Sequence, residues 1–147
     1  MGMFRFLCSL LIALLVAPNA RAEDETPIGV WLHENGRIQV EITPCGALLC
    51  GRLVWFRWPN DAQGLPLVDV NNPDPALRTQ PLLGLQILGG LHRTGDDLFW
   101  EDGVIYNPDD GTYYNVTMTI EDDGTLHVRA YVLVPLLGTT LIWTRLR

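Results

Sequence analysis

Residues 69–78, DVNNPDPALR, place Asp69, Asn71, Asn72 and Asp74 within six positions and end on Arg78, so that oxygen ligands, two carboxylates and a guanidinium share one short stretch. Three chemistries suit such a set: cation binding, acid–base work divided between the carboxylates with Arg78 holding an anion, and the closing of a turn. A calcium loop of the EF-hand type needs oxygen ligands at alternating positions, then a glycine and a distant acid. Asp69 and Asn71 fit, but Pro73 takes the third ligand position and Asp74 stands where the glycine belongs. The EF-hand is excluded, while an irregular calcium site is not. Acid–base catalysis needs environments that separate two carboxyl pKa values, and nothing in the sequence supplies that separation for Asp69 and Asp74. The turn reading asks least. Asn and Asp side chains close turns on backbone amides, Asp74 can cap a helical turn that begins at Pro75, and Arg78 can pair with Asp69 or Asp74. Asp69, Asn71, Asn72, Asp74 and Arg78 are therefore read first as loop scaffold and second as a gate for a ligand.

Other chemistries meet firmer obstacles. All ten basic residues are arginines, so no lysine is present to form a Schiff base, and Ser9 is the only serine, which leaves no serine triad beyond the leader. His33, His92 and His127 are scattered singly, whereas a metal site needs several ligands to converge; no metal and no cofactor are assigned. Cys45 and Cys50 bracket the turn of TPCGALLC, a spacing that suits a structural disulfide across a tight hairpin, worth about 2 kcal/mol in the chain-entropy model. That bond would also remove the free thiolate a cysteine nucleophile requires. No convincing catalytic set emerges, and the chain is not expected to be an enzyme.

The elements that must position these groups are strands. RIQVEI alternates Ile38, Val40 and Ile42 against Arg37, Gln39 and Glu41; YYNVTMTI sets Tyr114, Val116, Met118 and Ile120 on one side, and TLHVRAYV sets Leu126, Val128, Ala130 and Val132 on one side. Period-two alternation marks half-buried strands, and Asp110-Gly111 and Asp123-Gly124 supply hairpin turns. Eight strands are predicted, at 28–32, 37–43, 48–56, 84–91, 97–106, 112–120, 125–134 and 139–146. Only the stretch from Arg57 to Leu83 lacks the pattern, and its PDPALRTQ predicts one short helical turn. Short antiparallel strands joined by tight turns fit an all-β, eight-stranded up-and-down barrel, since closure removes edge strands. Such a barrel holds one small ligand or a plug of side chains. Of the aromatic residues, Trp55 and Tyr106 are the candidates for lining an interior with a polar handle, with Tyr114 and Arg78 as further ligand-binding candidates.

Residues 1–22 combine Arg5, an apolar run from Phe6 to Ala17 and an Ala20-Arg21-Ala22 cleavage site, the form of a secretory signal peptide. The run is too short to span a bilayer, and Cys8 lacks the context of a lipoprotein anchor. Cleavage leaves residues 23–27 as a mobile lead-in and 28–147 as one barrel domain in the periplasm or outside the cell, with no membrane anchor. Eight arginines against seventeen acids then give −9, which argues against nucleic acid or an anionic membrane as the main partner.

Gly29-Val30-Trp31 opens the first strand and Trp143-Thr144-Arg145 lies in the last. If the barrel closes, Arg145 can lie over the Trp31 ring and plug one end, a pattern similar to the lipocalins and wider calycins. The strings GVW, ITPCGALLCGRLVW, DVNNPDPALRTQPLLGLQIL, GVIYNPDDGTYYNVTMTI, LHVRAYV and LGTTLIWTR, in that order, resemble the family of exported bacterial proteins called domain of unknown function 2147. The resemblance implies a lipocalin-like barrel and an exported location. Asn107 departs from the aspartate often found in the family's I-Y-x-P segment, and Ala130 from a common glycine. The expectation is an exported barrel binding a small apolar or amphipathic molecule, with an interaction or envelope-stress module of filled barrel as the alternative and a small-substrate enzyme using Asp69, Asp74, Arg78 or Tyr106 as a third.

Overall fold

In the computed structural model, which describes residues 26–95 and 97–147, eight antiparallel strands form a closed barrel in sequence order. They are β1 (Gly29–His33), β2 (Ile38–Cys45), β3 (Leu48–Phe56), β4 (Gln86–Arg93), β5 (Phe99–Asn107), β6 (Thr112–Ile120), β7 (Leu126–Tyr131) and β8 (Thr139–Arg145). Each pairs with its chain neighbour, and β1 closes on β8 through Trp31 opposite Arg145 and His33 opposite Trp143. The expected signal peptide at 1–22 lies outside the described residues.

The alternation read from the sequence becomes the inside and outside of the wall. Val40 and Ile42 on β2, Val116, Met118 and Ile120 on β6, and Leu126 and Val128 on β7 are all buried. Gly51 and Gly103 face the same interior because neighbours occupy the space of a side chain: a Cβ on Gly103 would come 2.4 Å from Leu91 Cγ, and one on Gly51 2.9 Å from Leu88 Cβ.

One end of the barrel is plugged. The Arg145 guanidinium lies 4.2 Å from the Trp31 ring centroid, Trp31 is fully buried, and its Nε1 donates to the Pro27 carbonyl at 2.8 Å. Arg145 also donates to the carbonyls of Ile28 and Thr26, so Thr26 and Pro27, at the end of the expected lead-in, are held against the barrel. Gly29 sits at φ 139°, and any Cβ there would meet the Arg147 carbonyl. The Cys45–Cys50 disulfide bridges the β2–β3 hairpin at this end, with Cα atoms 5.7 Å apart. It suggests an oxidising, extracytoplasmic environment.

Several strand ends shift by two or three residues from expectation, and two of these shifts have clear local reasons. β4 begins at Gln86 rather than 84, because Gly84 turns at φ 87° and its N–H is tied to the Leu53 carbonyl at 2.7 Å. β7 stops at Tyr131 rather than 134: Arg129 donates to the carbonyls of Pro135 and Leu136 and folds the chain into a separate short turn, leaving Val132 exposed.

Candidate functional site

The other end is open. Four connections surround it: β1–β2, the long 57–85 segment, β5–β6 and β7–β8. Beneath them lies a cavity of about 720 Å³. Leu53, Phe56, Ile87, Ile105 and Leu141 make apolar wall, Ala130 leaves space where a larger residue would fill it, and Trp143, itself buried, is part of the lining. Polar groups reach it from His33, Tyr106 and Tyr114. Burial holds the His33 imidazole below its ordinary pKa; its Nδ1 accepts from the Asn35 N–H at 3.1 Å, so the neutral ring carries its proton on Nε2.

The long connection is a folded strap. Asp61 Oδ1 accepts from the N–H groups of Gln63 and Leu65, both at 2.9 Å, and Asn60 bridges to Pro66 and Val68 to Pro81. At its centre Asp69 is fully buried. One carboxylate oxygen accepts from Tyr106 Oη at 2.7 Å; the other accepts from Asn72 Nδ2 at 2.7 Å and Gln80 Nε2 at 3.1 Å. A buried carboxylate without such donors would be strongly disfavoured. Burial and the bond to Asp69 push the Tyr106 phenol well above its ordinary range. Asp74 Oδ1 caps the Pro75–Leu77 turn through the Ala76 N–H at 2.9 Å. Arg78 does not pair with Asp69 or Asp74: its Nε donates to the Asn72 carbonyl at 2.8 Å, because the capped turn points it back along the loop.

Asn71 fastens the strap to the β5–β6 hairpin. Its Nδ2 donates to the carbonyls of Pro108 and Asp109 at 3.0 and 3.1 Å, and its own carbonyl occupies the place a Cβ on Gly111 would need. In that hairpin Tyr114 Oη donates to Asp110 Oδ2 at 2.7 Å. Burial alone would raise the Asp110 carboxyl, but bonds from Tyr114, Thr112 and Asn107 outweigh it and hold the group below its usual range.

The structure therefore divides the four ligand-binding candidates. Tyr106 and Tyr114 line the cavity; Trp55 and Arg78 do not. Simple alternation from the buried Leu53 would turn Trp55 inward. A β-bulge opposite Gln39 and Val40 shifts the phase, so that Phe56 lines the cavity and Trp55 is exposed. Sequence reasoning also missed His33, Trp143 and Ala130 as lining residues. Another bulge, at Asp102 with φ 58°, turns Glu101 and Asp102 toward His92 on the outer wall, with ligand atoms within 4.8 Å of one another. This grouping, in which Asp102 is exposed and His92 and Glu101 are half-buried, lies apart from the cavity lining, and its spacing in the chain gives no hint of it.

The comparisons with known proteins agree with this architecture. One solved structure, described as "Protein HP1028 from the human pathogen Helicobacter pylori belongs to the lipocalin family", superposes with a TM-score of 0.70 at 23% identity, covering 83% of this chain and 84% of that one. No curated protein sequence matches. The model of the family described as "Uncharacterized protein conserved in bacteria (DUF2147)" matches residues 29–145, and the chain belongs to that family.

Proposed function

We propose that the protein is an exported binding protein that carries a small apolar or amphipathic molecule in the open half of its barrel. The observation that supports this reading is the cavity of about 720 Å³, within the roughly 300–1,000 Å³ common for small-molecule sites and lined by apolar wall with a few polar groups. The reading is non-enzymatic. The carboxylates and arginine that the sequence offered for acid–base work are engaged in building the strap: Asp69 by three donors, Asp74 as a cap and Arg78 on a backbone carbonyl. The strap contributes Leu67, Val68 and Leu82 to the lining, which fits a role in shaping access to the interior.

Native mass spectrometry of protein purified from the periplasm, paired with displacement of an environment-sensitive fluorescent probe by long-chain lipids, tests the proposal. A bound mass and displaceable fluorescence are expected in the wild type, and both are lost in Ala130→Phe, which fills the cavity from β7. A wild-type protein with no bound mass, no probe signal and no response to Ala130→Phe would remove the ligand-carrier reading.

A further inference from the structure

The β7–β8 connection carries the most exposed large apolar side chains among the described residues: Leu133, Leu136 and Leu137 are 80, 85 and 75% exposed. The backbone beneath them is fastened. Arg129 Nε and Nη2 donate to the carbonyls of Pro135 and Leu136, its Nη1 donates to Thr140 Oγ1 at 2.7 Å, and Asn115 Nδ2 donates to the Val132 carbonyl at 3.0 Å. The N–H groups of Leu137 and Gly138 close the turn on the carbonyls of Val134 and Pro135 at 3.1 and 3.0 Å. The Arg129 guanidinium is thus folded onto the connection's backbone, and what the connection offers outward is leucine and valine.

The same end of the barrel carries further exposed apolar groups on separate connections: Leu65 and Val70 on the strap and Tyr113 at the start of β6. Trp58, also exposed, has the guanidiniums of Arg37 and Arg57 at 5.4 and 5.7 Å from its ring centroid. Among the described residues, the exposed large apolar ones at the plugged end are Ile28, Leu48 and Leu146, none above 48% exposed. The asymmetry follows the cavity.

We propose that the open end docks reversibly, mouth down, on the surface of a lipid bilayer, with Leu133, Leu136 and Leu137 entering the acyl boundary and Trp58 at the level of the headgroups. A bilayer suits these features better than a second protein surface does. Apolar tips set on separate connections around an opening need a phase that conforms to them, and an aromatic ring flanked by guanidiniums is the chemistry of the membrane interface, where Arg37 and Arg57 meet lipid phosphates. Asp61, Asp109 and Asp110 at the same end, with the net negative charge of the chain, favour a zwitterionic surface over an anionic one. Three leucines give a contact that forms and releases.

Flotation of the full chain with phosphatidylcholine vesicles tests the docking, and probe displacement tests the cavity, so either reading can fail alone. The wild type is expected to float with the vesicles. Leu136→Ser combined with Leu137→Ser is expected to lower the partition coefficient on the order of tenfold or more, with the melting temperature unchanged because both side chains are exposed, while Leu48→Ser at the plugged end floats like wild type. Failure of the wild type to float, flotation only with anionic vesicles, or equal flotation of the double variant would each overturn the proposal. So would a wild-type dimer that the double variant converts to monomer in light scattering, since a second copy would then be the occupant.

Discussion

In the plugged half of the barrel, Trp31, Ile42, Met118 and Leu126 are buried and fill the interior under the Arg145 guanidinium; in the open half, Leu53 on β3, Ile105 on β5 and Leu141 on β8 stand around a cavity. The plugged half closes with local, sequential hairpins and the seam between first and last strands. The open half depends on a long connection that contributes Leu67, Val68 and Leu82 to the cavity wall and ties down through Asp69, Asn71 and their distant partners. Packing fixes the first region, and a polar network fixes the second. Substitutions in the two should therefore separate stability from binding.

The largest effect is expected at the plug. Trp31→Ala removes a fully buried ring with its cation–π and hydrogen-bonded contacts and should cost about 3–5 kcal/mol in chemical denaturation. Asp69→Ala comes next: it leaves Tyr106 Oη, Asn72 Nδ2 and Gln80 Nε2 without their acceptor, with an expected loss of about 2–3 kcal/mol. Hydrogen exchange should show the strap opening in this variant while the β1–β8 seam stays protected; equal loss of protection in both would erase the distinction between the halves. Reducing the Cys45–Cys50 disulfide should lower stability by about 2 kcal/mol and leave probe binding unchanged, because the bridge lies at the plugged end. Ala130→Phe should abolish probe binding at a stability change below about 1 kcal/mol, since the added ring enters space rather than a packed core.

The smallest effect is a pH slope at the strap. The Tyr106 phenol is raised in the folded protein by burial and by Asp69, so the unfolded chain loses this proton first. The contribution is full below pH of about 10, the ordinary tyrosine value, and falls as pH rises beyond it. Denaturation measured from pH 9 upward should show a steeper decline in wild type than in Tyr106→Phe; parallel curves would mean that the strap does not depend on this bond.

Much of the frame was legible in the residues. Alternation at Val116, Met118 and Ile120 and the Asp-Gly turns mark the hairpins, and Trp31 with Arg145 marks closure, because these signals are local or lie at the two ends of a chain that must meet itself. The site was legible only in part. Asp69 finds Tyr106 across 37 residues, and no local rule pairs them. The bulge beside Trp55 shifts the inward face by one residue, so that period-two counting selects Trp55 where the fold uses Phe56. Val132 continues the alternation of β7 in sequence, yet Arg129 bonds past it and ends the strand. Whether an interior is full or hollow depends on the sum of many side-chain volumes, and Ala130 contributes to that sum only by being small.

Arg145, which reaches the carbonyls of both Thr26 and Ile28, ties the first strand to the last, so that Thr26 and Arg147 both lie at the plugged face. An affinity tag, surface linker or fusion partner joined at either place would hold the protein by its sealed base. Immobilised in that way, every copy would present its mouth outward, to solvent or to a supported bilayer.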